Sequence, residues 1–553
     1  MSPRALARLR SLRAGVCFPV AEALVSRRAL ARSRSLRAGV CHPVAAALLA
    51  GLLAACSPGS APHGTPPASR SGAARPSVPS PTGPPTTTLA GYYAQKLRWR
   101  PCDNGFQCAR LLVPFDYQRP AWRRFSLPVI RLAATSPGTR IGSLVVNPGG
   151  PGGSGIQYAL HARSQVSAAV RARFDVIGFD PRGVGGSNPA VHCLSDAELD
   201  RYFATPDTPG NTAQRAVVVS ESKLFAGGCE KQSGALLPYV GTANAARDMD
   251  VLRAVLGDAK LTYLGKSYGT YLGTWYAQLF PTRVRALVLD GAVDPGESAL
   301  EENLVQAQGF QVALRSFVAD CLRRSGCPFP RGETVSAAIA RVQSMLNQAA
   351  AKPLQSQIPG QPGNSALLLA GVASALYSKS FWPYLRLGLT AAFRGNGTVL
   401  VALGDALLER DRSGHYSNLT SSELAVDCID RPWPRSLSAW QSAAAGAARA
   451  APMFGQAIMW GSLPCAYWPV RPAPQVRLRG AGAPPILVVG NTRDPATPFR
   501  WAKALAGDLK SGVLLAWNGD GHTAYMMGSS CINSAVDKYL ISLVPPRNGT
   551  LCP

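Results

Sequence analysis

Seven short apolar runs punctuate the chain: FSLPVIRL (125 to 132), GSLVVNPGG (142 to 150), FDVIGFDPRG (174 to 183), LTYLGKSYGT (261 to 270), VRALVLDGAV (284 to 293), PPILVVGNTRD (484 to 494) and GVLLAWNGDGH (512 to 522). Longer segments of helical pattern separate them, so the order predicts strands alternating with helices, as βαβ units require. Each run closes on small or polar residues at its carboxyl end, the edge at which open α/β sheets place their sites. The expected fold class is α/β.

The chemistry sits at those carboxyl ends. Gly265-Lys266-Ser267-Tyr268-Gly269 is a G-x-S-x-G between the strand-like LTYL and the helix-like TYLGTWYAQLF. A serine on such a strand-to-helix turn stands exposed at the sheet edge, and small neighbours let the strained backbone pass. The pentapeptide alone would also fit an ordinary glycine-rich turn; its context makes Ser267 the candidate nucleophile. A general base must follow. Of the histidines, His42 lies near the N-terminus and His63 in a Pro/Ser/Gly-rich stretch, which leaves His161, His192, His415 and His522. Only His522 follows an apolar run close to the C-terminus, in the Ser, Asp, His order of this elbow chemistry. Two acids are candidates: Asp494 ends ILVVGNTRD, and Asp290 ends VRALVLD. Asp494 is preferred, because D-P-A-T-P forms a rigid turn in which Thr497 could hydrogen-bond the carboxylate and hold the imidazole tautomer.

A tetrahedral intermediate needs donors for its oxyanion. The loop Asn147-Pro-Gly-Gly-Pro-Gly-Gly-Ser-Gly155 follows LVV, and the N–H groups of Gly150 and Tyr268 are the expected pair. The loop has no G-K-[ST] ending and no correctly placed G-x-G-x-x-G, which argues against nucleotide binding. Ser267 would attack a carbonyl as His522 takes its proton, Asp494 would stabilise the imidazolium, and water would later hydrolyse the acyl-enzyme. This chemistry requires no cofactor and no metal.

Composition changes the picture in two places. The formal charge of +26 suggests an acidic partner, but the nine arginines and one glutamate of residues 1–55 account for +8 of it. The remaining Lys and Arg are dispersed singly, which reads as a basic surface rather than a nucleic-acid site. Residues 44–55, VAAALLAGLLAA, form an uncharged run of signal-peptide length, too short to span a bilayer, and end in Leu53-Ala54-Ala55-Cys56. That ending matches a bacterial lipobox, with Cys56 the lipidation site. Upstream, residues 4–21 recur almost unchanged at 28–45, a tandem duplication with a 24-residue period. Residues 56–90 lack material for a core and read as a flexible, lipid-anchored tether, so folded structure is expected from about Gly91. Ten cysteines remain in the body, without CxxC pairs, and favour disulfides and an oxidising compartment. Spacing leaves connectivity open; the sequential pairings Cys102–Cys108, Cys193–Cys229, Cys321–Cys327, Cys428–Cys465 and Cys531–Cys552 each close a local loop and are favoured.

Together, Trp99 with Cys102 and Cys108, NPGGPGGSG, FDVIGFDPRGVGGSNP, GKSYGT, LDGAVDP, NTRDPATP and GDGH resemble the actinobacterial exported tripeptidyl aminopeptidases and prolyl-aminopeptidase-like serine peptidases. The resemblance spans roughly residues 95–553. It departs at Pro148, where the prolyl aminopeptidases open the glycine loop with His. It implies an α/β-hydrolase fold, a mostly parallel sheet flanked by helices with a largely helical cap insertion. Beyond the leader (1–55) and tether (56–90) read from their own residues, it implies a first core part (91–297), a cap (298–425) and a C-terminal core part (426–553). It also implies a peptide or protein substrate, an envelope location on the outer face, and membrane contact only through the lipid; the oligomeric state stays open. An aminopeptidase must bind a substrate ammonium, for which Glu297, Glu301 and Glu302, or Asp427 and Asp430, are candidates, although each also fits a solvated helix face. A carboxylesterase or lipase with the same triad is the alternative. A catalytically silent peptide-binding lipoprotein is a third reading, against which the presence of all three triad residues argues.

Overall fold

In the computed structural model, which describes residues 88–553, ten strands join in one sheet. They are β1 (Arg100–Pro101), β2 (Gln107–Pro114), β3 (Arg124–Leu132), β4 (Gly142–Asn147), β5 (Phe174–Phe179), β6 (Leu261–Lys266), β7 (Val284–Asp290), β8 (Ile486–Arg493), β9 (Gly512–Asp520) and β10 (Thr550–Cys552). Their order is β1-β2-β3-β5-β4-β6-β7-β8-β9-β10. The first three pairings are antiparallel. Every pairing from β5/β4 onward is parallel. The leader, the tether and Cys56 lie outside the described residues.

Each of the seven apolar runs holds one strand, β3 to β9, and the central parallel strands β4 to β8 are largely buried on both faces. Alternate residues serve different cores, as the period of two demands. Val145, Ile177, Tyr263, Leu287, Leu289 and Val488 pack on one side. Leu144, Val146, Val176, Leu264, Val288 and Leu487 pack on the other. Each buried aliphatic side chain contributes about 1.5–3 kcal/mol, so the apolar runs commit these segments to the centre of the sheet.

Between β7 and β8 the chain makes eight α-helices, from Ala299–Leu322 to Gly455–Gly461. Helix Leu419–Asp430 runs across residue 425, and two more follow before β8. This helical insertion has its own core, in which Phe310, Leu314, Phe317, Leu346, Leu368, Val372, Leu385 and Leu400 cluster. Side-chain caps from Thr334 and Asn364 each accept one first-turn N–H, of Ala337 and Leu367, in two of its helices. No described helix is long and apolar enough to cross a membrane.

The body cysteines form the five sequential disulfides. Cys428–Cys465 ties helix Leu419–Asp430 to the turn Leu463–Tyr467, and Cys531–Cys552 pins β10. The FDPRG stretch after β5 carries a buried ion pair. Arg182 donates to both carboxylate oxygens of Asp248 at 2.7 and 2.5 Å and to the carbonyls of Pro114, Phe115 and Tyr239, with both side chains fully enclosed. Asp248 also accepts from Tyr117 Oη at 2.7 Å. Removing one partner strands a buried charge. Asp248→Ala should therefore lower unfolding free energy by about 3–5 kcal/mol in urea titration, whereas an exposed pair such as Arg477–Asp508 should cost less than about 1 kcal/mol.

Candidate active site

The parallel strands deliver the chemistry-bearing residues to one edge. The glycine loop follows β4, Ser267 follows β6, Asp290 ends β7, Asp494 follows β8 and His522 follows β9. Ser267 has φ 55° and ψ −129°, a conformation that a non-glycine residue holds only when its surroundings enforce it. Its N–H donates to the Asp290 carbonyl at 2.9 Å, and its own carbonyl accepts from Thr270 N–H at 2.8 Å. A Cβ on Gly265 would stand 2.3 Å from the Gly269 carbonyl oxygen, so only glycine permits the turn there.

His522 Nδ1 lies 2.9 and 3.1 Å from the two oxygens of Asp494. Asp494 is 2 % exposed and His522 9 %. The carboxylate also accepts backbone N–H groups from Ala496, Thr497 and Thr523 at 2.9–3.1 Å. These bonds leave Nδ1 as the protonated nitrogen and Nε2 as the base, as the chemistry needs. One expectation is corrected. The Thr497 hydroxyl does not bond the carboxylate: its backbone N–H does, and Oγ1 stands 3.2 Å from His522 Nδ1.

Asp290 makes no hydrogen bond to the imidazole. Its fully buried carboxylate accepts the N–H groups of Ala524 and Tyr525 at 2.8 and 3.0 Å and faces Lys266 Nζ at 3.9 Å. Burial pushes the Asp290 carboxyl up, opposed by Lys266 and the two N–H groups, and burial pushes the Lys266 ammonium down, opposed by Asp290. Asp290 thus secures the loop after His522. Asn491 Nδ2 completes the fastening through the carbonyls of Gly521 and Thr523 at 2.7 and 2.5 Å.

Ser267, Tyr268, Gly150 and Thr497 line a cavity of about 450 Å³. The glycine loop presses on the elbow, and a Cβ on Gly149 would sit 2.7 Å from Ser267 Cβ and 3.1 Å from Tyr268 N. Tyr268 opens helix Tyr268–Leu279, so no carbonyl of that helix accepts its N–H. Asp180 of the FDPRG stretch steadies the loop by accepting from Ser154 Oγ at 2.6 Å and Ile156 N–H at 3.1 Å. Phe310, Tyr377 and Phe454 from the insertion and Tyr202 and Phe203 from the β5–β6 segment supply apolar walls.

The remaining wall is acidic. Glu302, Asp427 and Asp430 line the cavity together with Asp207, Glu221 and Glu423, which sequence reasoning missed, and one cation, Arg431. Glu423, Asp427 and Asp430 recur at i, i+4 and i+7 along helix Leu419–Asp430, an acidic stripe that could have been read from spacing alone. Burial pushes Glu423 up to about 7, helped by Glu409. Burial also lifts Asp430 to about 6 against its bonds from Thr242, and lifts Asp427 well above the usual range with help from Glu423 and Glu302. Glu302 is raised by burial and held by Arg431. Asp430 connects to the elbow, since Thr242 Oγ1 bonds both its carboxylate and, at 2.5 Å, the Tyr268 hydroxyl. Two candidates are not brought there. Glu297 is buried against Arg500 and Trp501 Nε1, and Glu301 turns toward Arg500 at 3.6 Å, outside the cavity wall.

Among the described residues, no cluster of His, Cys, Asp and Glu could hold a metal. A serine elbow, a buried Asp–His pair and a glycine loop at the carboxyl edge of a mostly parallel sheet define an α/β-hydrolase-fold enzyme of the serine class. Residues 142–336 match the family model "alpha/beta hydrolase fold", and residues 451–552 match "TAP-like protein". The chain is 40% identical over 479 residues to serine protease Hip1 of Mycobacterium tuberculosis, covering 83% of this chain and 91% of that protein. It is 37% identical over 457 residues to carboxylesterase B of the same species, covering 81% and 86%. It is 34% identical over 446 residues to tripeptidyl aminopeptidase of Streptomyces coelicolor, covering 79% and 81%. The chain belongs to this family of α/β-hydrolase-fold serine peptidases with a TAP-like C-terminal region. Asp494→Asn is expected to slow hydrolysis of an activated ester by about 10⁴-fold without unfolding the protein. Asp290→Asn should instead lower the unfolding midpoint, with a far smaller effect on rate; a larger rate loss in Asp290→Asn than in Asp494→Asn would reverse the assignment of the acid.

Proposed function

We propose that the chain is an exported serine peptidase that releases short peptides, tripeptides foremost, from free N-termini. Ser267 Oγ attacks the scissile carbonyl while His522 Nε2 takes its proton and Asp494 stabilises the imidazolium. The N–H groups of Tyr268 and Gly150 receive the oxyanion. The imidazolium then protonates the leaving amine, and water activated by the same histidine hydrolyses the acyl-enzyme. The insertion acts as a cap that admits chain ends.

The observation that carries this reading is the acidic wall. Six carboxylates and a single guanidinium line the cavity that contains Ser267. Sequestering carboxylates from water is costly unless a cation meets them, and a substrate ammonium supplies one. A neutral acyl ester has no use for that wall. The similarity to carboxylesterase B nevertheless favours a second reading, ester hydrolysis by the same triad, because an elbow alone does not separate the two.

Two leaver-matched substrates discriminate: a tripeptide anilide with a free amine, and the same anilide N-blocked. Cleavage confined to the free amine and abolished by Ser267→Ala supports the aminopeptidase; turnover of short acyl esters alone moves the assignment to esterase. The acids give this test a pH signature. Carboxyls raised to about 7 at Glu423 and about 6 at Asp430 are neutral below those values and charged above them, while a peptide α-amine loses its proton above about 8. KM for the free-amine anilide should therefore be lowest between about pH 7 and 8 and rise on either side, while KM for an acyl ester stays flat. Glu423→Gln should move the acid-side rise to lower pH, leaving the part that follows Asp430 near 6.

The export signal, lipid attachment at Cys56 and the tether of residues 56–90 complete the proposal, supported by the five disulfides. Cys56→Ala should shift the enzyme from the membrane fraction to the medium in an actinobacterial host; an unchanged distribution would remove the anchor.

A further inference from the structure

Asp520 ends β9, two residues before His522, and its side chain is only 10% exposed. Its carboxylate joins three elements. Oδ1 accepts from Arg493 Nε at 2.7 Å and from Ser316 Oγ at 2.5 Å, and Oδ2 meets Lys379 Nζ at 3.3 Å. Arg493 is the residue before Asp494. Ser316 and Lys379 belong to the insertion, on helix Ala299–Leu322 and the turn Lys379–Phe381. A further tie lies beside this one: the Tyr377 carbonyl accepts the His522 N–H at 2.8 Å, and the Tyr377 ring stands edge-on to the imidazole at 5.3 Å.

The insertion has its own core, so it settles on the sheet edge as a unit, and these are points at which it grips the histidine loop. None of Asp520, Ser316 and Lys379 lines the cavity; whatever they do for the reaction passes through Arg493–Asp494 and Gly521–His522. An imidazole displaced by about 1 Å from its serine loses on the order of 10²-fold in rate. Charge-assisted bonds to a nearly buried carboxylate are strong enough to set such an alignment.

We propose that Asp520 is a positioning residue that couples the seating of the helical insertion to the alignment of His522 against Asp494, so that Ser267 is activated when the insertion is docked. The proposal rests on the reading of Ser267, His522 and Asp494 as the triad. It adds to the insertion's role as a cover a part in assembling the base.

The test uses the full oxidised chain and four variants: Asp520→Asn, Lys379→Met, Lys379→Arg and the double variant Ser316→Ala/Lys379→Met. Three quantities are read: the rate constant for labelling of Ser267 by a fluorophosphonate, kcat and KM on a short acyl ester, and the thermal unfolding midpoint. Asp520→Asn and the double variant should lose about 10- to 100-fold in kcat and in labelling rate, with KM changed less than about threefold. Lys379→Met should fall between them and wild type, and Lys379→Arg should restore the rate. Lys379 is half exposed, so its variants fold even if Asp520→Asn does not. Labelling and kcat within twofold of wild type in the double variant, with only the midpoint lowered, would overturn the proposal, as would a loss confined to KM. If wild-type Ser267 is not labelled at all, the triad reading fails first and the coupling falls with it.

Discussion

Two buried carboxylates, Asp494 and Asp290, hold the loop that carries His522, and the site's chemistry depends on that hold. Asp494 takes the imidazole Nδ1 and the Thr523 N–H; Asp290 takes the next two N–H groups, of Ala524 and Tyr525. Thr523 and Met526 sit at φ 65°, where side chains are disfavoured, and these acceptors and Asn491 help to hold the loop in that shape. A buried carboxylate without donors is costly, and a strained loop without acceptors relaxes. Each stabilises the other, and the imidazole is thereby confined to one orientation and one tautomer.

The same carboxyl edge is shaped from the opposite direction by glycine. The loop after β4 and the elbow after β6 touch through main chain, with Gly149 against Ser267 and the Tyr268 N–H. The FDPRG stretch supports both sides of the sheet edge, through Asp180 to the glycine loop and through Arg182 to the buried Asp248. Above this edge, a strongly basic chain encloses an acidic cavity. Local burial, rather than net charge, governs what enters such a site, because the low-dielectric wall strengthens every charge it encloses.

Much of the sheet was legible in the sequence because buried parallel strands leave continuous apolar runs. The strands that escaped notice have weaker signatures. In β2, QCARLLVP, buried and half-buried positions mix around Arg110, and β10 is three residues long and held by Cys531–Cys552. The proposed catalytic residues drew attention for a related reason: Ser267, Asp494 and His522 each sit at the end of such a run, and the structure pairs Asp494 with His522. Thr497 was found as a neighbour of the pair, but with hydroxyl and amide roles exchanged, since local sequence does not say which polar group of a turn faces the carboxylate.

The amino-acid sequence by itself determined the α/β class and the order of the strands along the chain, and it singled out Ser267, Asp494 and His522 as candidates at strand ends, because apolar run length and turn chemistry are local properties. Tertiary structure alone decided which acids meet the nucleophile. Glu297, Glu301 and Glu302 lie within six residues, yet only Glu302 reaches the cavity, while Glu423 joins it from a helix more than a hundred residues away. Successive side chains of a helix point about 100° apart, so the way the helix docks decides which of Glu301 and Glu302 faces the cavity, and no local pattern encodes that docking. It is set by how the insertion's core seats on the sheet.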